Sequence, residues 1–444
     1  MKIRLSDHFT YGKLFRFTLP TVAMMIFMSV YSVVDGFFVS NYAGKTPFAA
    51  VNLIMPMLMI LGTVGFIFGT GGTALVAMTF GEGKKEQANR YFSLFVYLGF
   101  SLGVAFAALG IALMRPVARL LGAEGALLEN CVTYGRIVLL VLPFFITSIA
   151  FQSFFVAAEK PQLGMLVTVL SGVINMILDA VLVLGLPQEQ KLAGAAVATA
   201  VAQVFGGVVP LIYFSRENSS ILRLGRTKYE GKAILKACMN GLSEFMTNIS
   251  MSIVGILYNL QLIKFAGENG IVAYGVMMYV SMIFGAAFAG YAMGTAPVIS
   301  YQYGAGNKAE LSGLLRKSLT IVGAAGVAMV LAAQLLAVPL ASIFVGYEQE
   351  LMRLTVSGFR VFSLAFVMMG FSSFSSSFFT ALNDGVTSAV ISFLRTMVFE
   401  CGAVLLLPLV FGVTGIWLSV LVAELMATLL SGIFLIVKRP RFGY

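Results

Sequence analysis

Gly81-Glu82-Gly83-Lys84-Lys85 and Gly304-Ala305-Gly306-Asn307-Lys308 stand about 223 residues apart, and each follows an apolar helix of spanning length. The helices before them match too: Gly71-Gly72 is answered by Gly294-Thr295, and Ala50-Val51 by Ala273-Tyr274. Further along, Phe154-Phe155 matches Phe378-Phe379, Arg136 matches Arg360, Gly194 matches Gly415, and Gln203 falls opposite Glu424. These offsets run from 221 to 224, as small loop insertions require. Self-similarity at a fixed spacing marks a duplicated structural unit, so the chain reads as two related halves in tandem.

Composition sets the solvent. The chain has 444 residues, 59% hydrophobic and 11% charged, with mean hydropathy +0.94. A soluble domain carries about 25% charge, and apolar runs of spanning length recur throughout, which specifies a polytopic helical membrane protein. The first apolar run, 14–42, is too long for a cleavable signal peptide and lacks its cleavage site. Cys131, Cys238 and Cys401 are scattered and define neither a disulfide framework nor a metal site. His8, the single histidine, lies in the polar N-terminal segment. That excludes histidine-based zinc hydrolysis and histidine proton relays, and no cofactor is expected.

Twelve spans are expected, at about 14–42, 48–79, 92–114, 129–157, 161–186, 192–214, 233–264, 270–301, 317–345, 353–381, 386–410 and 413–437. Pro20, Pro56, Pro143, Pro210, Pro297 and Pro408 fall inside them, which packed transmembrane helices tolerate. Of the 29 Lys and Arg residues, 20 then lie on the side of the termini, 6 on the other, and 3 (Arg136, Arg360, Arg395) inside spans. The positive-inside rule puts both termini in the cytoplasm. The same rule accounts for the net charge of +10 without nucleic acid. The expected organisation is a six-helix lobe over 1–214, a basic cytoplasmic linker over 215–232, and a second six-helix lobe over 233–444. An even number of spans per half gives both halves one orientation, related by an axis along the membrane normal. Such tandem halves are typical of transporters that carry substrate between two lobes.

Five carboxylates sit inside apolar spans: Asp35, Asp179, Glu244, Glu400 and Glu424. A charge at mid-helix costs roughly 2.5–3.5 kcal/mol on insertion scales, so each needs a partner, a cavity or a bound cation. Asp35 lies 19 residues beyond Arg16 and Asp179 lies 19 beyond Lys160. Both helices start at the same face, so at about 1.5 Å per residue the two acids share a depth. Asn175 and Tyr31 each precede one of them by four residues, on the same helix face. With Thr199 they form an oxygen-rich set suited to H⁺ or Na⁺. Glu244 reads as lying near the cytoplasmic start of its helix. Glu424 is expected to line the second lobe, and Tyr31, Glu244 and Glu424 are further candidates for substrate handling or coupling. Arg395 and Glu400 stand about 140° apart around their helix, so each is expected to pair with another helix. Arg136 and Arg360 read as structural ties to carbonyls or acids. The 24 Met and 38 Phe residues suit a soft cavity wall.

These residues resemble those of the multidrug and toxic compound extrusion (MATE) transporters. Pro20…Asp35-Gly36-Phe37-Phe38-Val39 with Ala49-Ala50-Val51…Pro56 is similar to that family's first two helices, as is Gly81-Glu82-Gly83 with Ala88-Asn89. Asn175-Met176-Ile177-Leu178-Asp179 resembles its fifth helix, and Gly194-Ala195-Ala196-Val197-Ala198-Thr199 and Gly415-Ile416-Trp417 its sixth and twelfth. The resemblance implies an all-α, twelve-helix pair of lobes that rock about a central cavity. It implies export of small organic, often cationic compounds in exchange for H⁺ or Na⁺, by a monomeric inner-membrane protein surrounded by lipid. It assigns the cation site to Asp35, Asn175, Asp179 and Thr199, and a hinge to Pro20. Within the same wider superfamily, a flippase for a lipid-linked precursor is the alternative. It needs a strongly basic cavity, whereas five intramembrane acids here face three arginines.

Overall fold

The structure, a computed structural model, describes residues 3–346 and 348–444, without the side chains of Phe37, Ser252 and Phe344. All regular structure among them is helical. In the first half α1 is Tyr11–Ala43, α2 Lys45–Gly81, α3 Lys85–Leu120, α4 125–157, α5 Pro161–Gly185 and α6 Lys191–Ser215. α4 bends by 57° between Leu140 and Leu142, just before Pro143, whose missing N–H cannot continue the ladder. The run Gly231–Gly304 departs from helical geometry at Gly267 (φ 60°, ψ −153°), a conformation open to glycine alone at low cost. That break divides α7 (231–266) from α8 (268–304). α9 is Lys308–Val345, α10 Gln349–Ala381, α11 Gly385–Phe411 and α12 Val413–Phe442. Among the described residues ten helices are long and apolar enough to cross a bilayer, or eleven with the bent α4 taken as one span; dividing the 74-residue run at Gly267 gives the twelve expected.

The quoted repeat earns its glycines. Gly83 (φ 81°) and Gly306 (φ 68°) both turn the chain in the left-handed region, one after α2 and the other after α8. The turns after α4 and α10 use the same conformation at Glu159 and Asn383, each with φ 59°. Gly194 and Gly415 make matching close approaches to the end of the preceding helix, at Leu182 and Leu407.

Where the halves meet, the contact is backbone on backbone. A Cβ on Gly81 would lie 2.0 Å from the Tyr301 carbonyl oxygen, and one on Gly304 would lie 2.0 Å from that of Met78. Met78 and Tyr301 are themselves 223 residues apart. The crossing of α2 and α8 is therefore self-complementary, as a contact on a pseudo-twofold axis must be. A second crossing sets Gly71 against Ala237 and Gly241, and a third sets Gly290 and Gly294 against Thr18, Thr21 and Val22 of α1.

Residues 3–10 strap the same end of the molecule. Leu5 N–H donates to Glu159 Oε1 (2.9 Å) in the first half, and its carbonyl accepts from Gln302 Nε2 (2.9 Å) in the second. Phe9 N–H donates to Glu310 Oε1 (2.9 Å), His8 Nδ1 lies 2.6 Å from Glu310 Oε2, and Lys317 donates to the Phe9 carbonyl. Leu5 and Phe9 are fully buried. The lobes are thus closed at the face that holds the termini.

Arg136 and Arg360 are not internal ties: both are exposed. Each lies eleven residues beyond the start of its helix, at Gly125 and Gln349, where a long side chain can reach the aqueous boundary.

Gly81→Val should open this face. Overpacking costs roughly 1–3 kcal/mol, all of it in the state that makes the crossing. Spin labels at Lys84 and Lys308 should report a longer distance in Gly81→Val and Gly304→Val. Gly275→Ala should leave it unchanged, because nothing lies within 4 Å of a Cβ there. Equal distances in all three variants would show that the crossing does not hold the face shut.

Candidate functional site

Asp35 stands near the far end of α1, immediately before a π-helical stretch over Val39–Ala43. A π turn inserts a residue and re-aims the helix end, and such turns recur at functional sites. Asp179 stands on α5, 0% exposed. The two carboxyl groups face each other, so the common depth counted from Arg16 and Lys160 brings them together. One oxygen of each, Oδ1, is buried with no hydrogen-bond partner.

Asn175, 2% exposed, lies between Asp179 and α6. With its amide nitrogen toward the acid, Nδ2 donates to Asp179 Oδ2 at 3.3 Å while the amide oxygen accepts from Thr199 N–H at 3.2 Å. All four expected cation-site residues therefore converge. Tyr31, stacked on Phe27 at 6.1 Å, lies beside both acids.

The sequence reading missed Tyr134. It is 2% exposed and lines the cavity that also holds Asp35 and Thr199. Its place on the inner face of α4 depends on the helix phase around the 57° bend, which spacing does not show. Gln203 was noticed only as the repeat counterpart of Glu424. Its Oε1 is buried without a partner and the residue lines the same cavity. That cavity measures about 320 Å³ and is lined by Asp35, Tyr31, Asn175, Thr199, Tyr134 and Gln203 with apolar Met28, Met55, Leu58 and Phe145.

An ion at Asp35 and Asp179 would find oxygen ligands, namely two carboxylates, an amide and a hydroxyl. This is the donor set hard cations and protons take. The two partnerless carboxylate oxygens are the positions such an ion would satisfy.

The second-half candidates lie elsewhere. Glu424, 4% exposed on α12, accepts from Arg395 Nε (2.8 Å) and from Ser372 Oγ (2.6 Å). Arg395 thus pairs across helices, as its angular separation from Glu400 required. Glu244 is not at a helix end. It lies thirteen residues into α7, which begins at Gly231, and lines a second cavity between the halves. Pro20 sits inside an unbroken α1, between Thr18 and Thr21, whose hydroxyls donate to Leu14 O (2.9 Å) and Thr18 O (2.6 Å).

Two repeat-related sets of six spans, closed at one face and holding buried acids in a cavity, define a two-lobe membrane transporter. A family model described as MatE matches the chain twice, over residues 20–181 and 245–405, one copy in each half. The chain belongs to the MATE family of transporters. It is 22% identical over 426 residues to the multidrug export protein MepA of Staphylococcus aureus (strain MRSA252), covering 96% of this chain and 93% of MepA. It is 24% identical over 419 residues to MepA of Staphylococcus haemolyticus (strain JCSC1435), covering 94% and 91%. The fold superposes with TM-score 0.91 on the outward-facing conformation of a multidrug resistance MATE family transporter of the MOP superfamily, at 22% identity over 98% of this chain and 97% of that one.

Tyr134→Phe keeps the ring and removes the hydroxyl it presents to the cavity. The purified variant should melt as the wild type does, while its dye export falls severalfold. Export equal to wild type would remove Tyr134 from the site.

Proposed function

We propose that the protein is an antiporter that exports small amphipathic, often cationic organic compounds in exchange for a proton taken up at Asp35 and Asp179. The observation that supports this reading is that the two carboxyl groups face each other among apolar helices. Two carboxylates this near repel, and a proton held by one of them removes the repulsion. A proton between them also removes the cost of an uncompensated charge among apolar helices. Asn175 and Thr199 then hold the remaining oxygens in place.

In this reading the cell membrane holds the protein with both termini in the cytoplasm, so the strapped face is the inner one. Outside, a proton enters the first-lobe cavity and binds the acid pair. Neutralised, α1 repacks above Pro20, where no N–H donates to the Arg16 carbonyl and the helix bends at low cost. The same helix touches α8 through Thr18 and Thr21, which links the acid site to the contact between lobes. The ion drives the change only if it binds the two states unequally. The cavities favour this reading over a lipid-precursor flippase: their charged lining residues are Asp35 in one, and Glu244 and Arg395 in the other. A strongly basic surface is not formed.

Purified protein in liposomes, loaded with a cationic dye, tests the reading. Dye movement should follow an imposed pH gradient and ignore a sodium gradient. Asp35→Asn and Asp179→Asn should each cut gradient-driven movement by at least tenfold while insertion and melting hold. Full transport by both variants would remove the acid pair from the mechanism. Response to sodium alone would replace the proton by Na⁺ on the same ligands.

A further inference from the structure

The second cavity differs in chemistry from the first. It measures about 210 Å³ and lies between the lobes. Its wall sets Ser and Thr hydroxyls among apolar Met25, Phe66, Met293 and Pro297: Thr70, Thr73 and Ser153 come from the first lobe, and Ser243, Thr247 and Ser373 are among those from the second. Thr73 is 2% exposed and its Oγ1 has no hydrogen-bond partner. A mostly apolar wall with a few placed polar groups is the make-up of a small-molecule site.

Two charged side chains reach this cavity, Glu244 and Arg395. Arg395 is held on a π-helical stretch, Leu394–Glu400. Its Nε and Nη2 donate to Glu424 Oε1, and its Nη1 donates to Ser373 Oγ at 2.9 Å. A guanidinium has five N–H groups. Three are used, leaving one on each terminal nitrogen, and the side chain remains 19% exposed at the cavity wall. Two N–H groups on adjacent terminal nitrogens match a carboxylate bidentately. Glu424 neutralises the arginine and fixes its plane, so the remaining donors are pre-oriented. Among the described residues no ion pair is formed by Glu244.

We propose that this interlobe cavity binds the polar end of zwitterionic substrates, with a carboxylate on the free N–H groups of Arg395, an ammonium beside Glu244, and hydroxyl or carbonyl groups on the Ser/Thr wall. The proposal rests on the export reading and narrows its substrate class: the preferred cargo carries an anionic group as well as a cationic one. Glu424 and Ser373 are positioning residues that hold the arginine.

Two matched pairs test it, each an acid and its methyl ester: L-carnitine with its methyl ester, and rhodamine 110 with rhodamine 123. Equilibrium binding to the full-length protein in lipid nanodiscs, with no ion gradient, is read at pH 7. At least one pair should bind, and in it the acid should bind at least tenfold more tightly than the ester. Arg395→Gln combined with Glu424→Gln removes both charges without leaving either buried alone, and should bring the acid-to-ester ratio below twofold. Arg395→Lys, which keeps the charge and loses the fork, should bring it to an intermediate value. Equal binding of acid and ester by the wild-type protein, binding of neither pair, or an undiminished ratio in the double variant would overturn the proposal. Because no gradient enters the measurement, a wild-type preference that survives alongside absent antiport would sink the coupling reading and leave this one standing. Antiport of esters with no acid preference would do the reverse.

Discussion

An acid inside hydrocarbon has to be answered by something, and this chain answers its acids in two ways. In the first lobe Asp35 and Asp179 face each other, and in the proposed cycle a proton balances the pair. In the second, Glu424 is answered by Arg395 and Ser372. On the proposed reading the first arrangement exchanges an ion and the second offers oriented donors, a difference that follows from which partner each acid met.

Duplication makes that divergence visible. At the offset of 223 that relates Ala50-Val51 to Ala273-Tyr274, Asp35 is answered by Tyr258. Tyr258 is fully buried, stacks on Tyr274 at 4.7 Å, and keeps a hydroxyl without a partner. The second lobe thus holds a phenol where the first holds a carboxyl group, and the ordinary pKa values of the two lie far apart. Gln203 and Glu424 form the other diverged pair, with the amide in the lobe of the acid pair and the acid opposite an arginine in the other.

Much of this was legible in the residues because depth in a membrane is a count. Basic residues mark the boundary, the rise is fixed, and Asp35 and Asp179 fall at one height by arithmetic. The repeat likewise gave the spans and the tandem lobes, and the angle between Arg395 and Glu400 ruled out a bridge within one turn. What counting does not supply is rotation and partner choice. Tyr134 required the phase of a bent helix. That Glu424 is the residue Arg395 meets required the packing of α11 on α12. Glu244 reads as near a helix start although the expected span, 233–264, begins within two residues of the observed one; the carboxylate, thirteen residues into α7, lines the cavity between the lobes. Arg136 and Arg360 show the limit of repeat logic: a match proves a shared environment and leaves open whether that environment is inside or outside. The strap over residues 3–10 has no periodicity at all, and its anchors, Glu159, Gln302 and Glu310, become visible only when both lobes are folded.

The placement of α1 connects these parts. It carries Asp35 near one end, Thr18 and Thr21 against the glycines of α8 near the other, and the strap just before its start. From Asp35 to Pro20 is fifteen residues, about 22 Å of helix. A rigid helix would transmit any tilt at the acid pair directly to the interlobe contact. A helix missing one hydrogen bond in its lower third can bend there instead, so the upper portion can follow the acids while the lower portion stays clamped by backbone contacts that tolerate no Cβ. In the proposed cycle, the order of events is then set by stiffness: the acid site changes first, the bend at Pro20 accumulates the change, and the glycine crossings release together, because contacts this close have no intermediate separation at which they are half made.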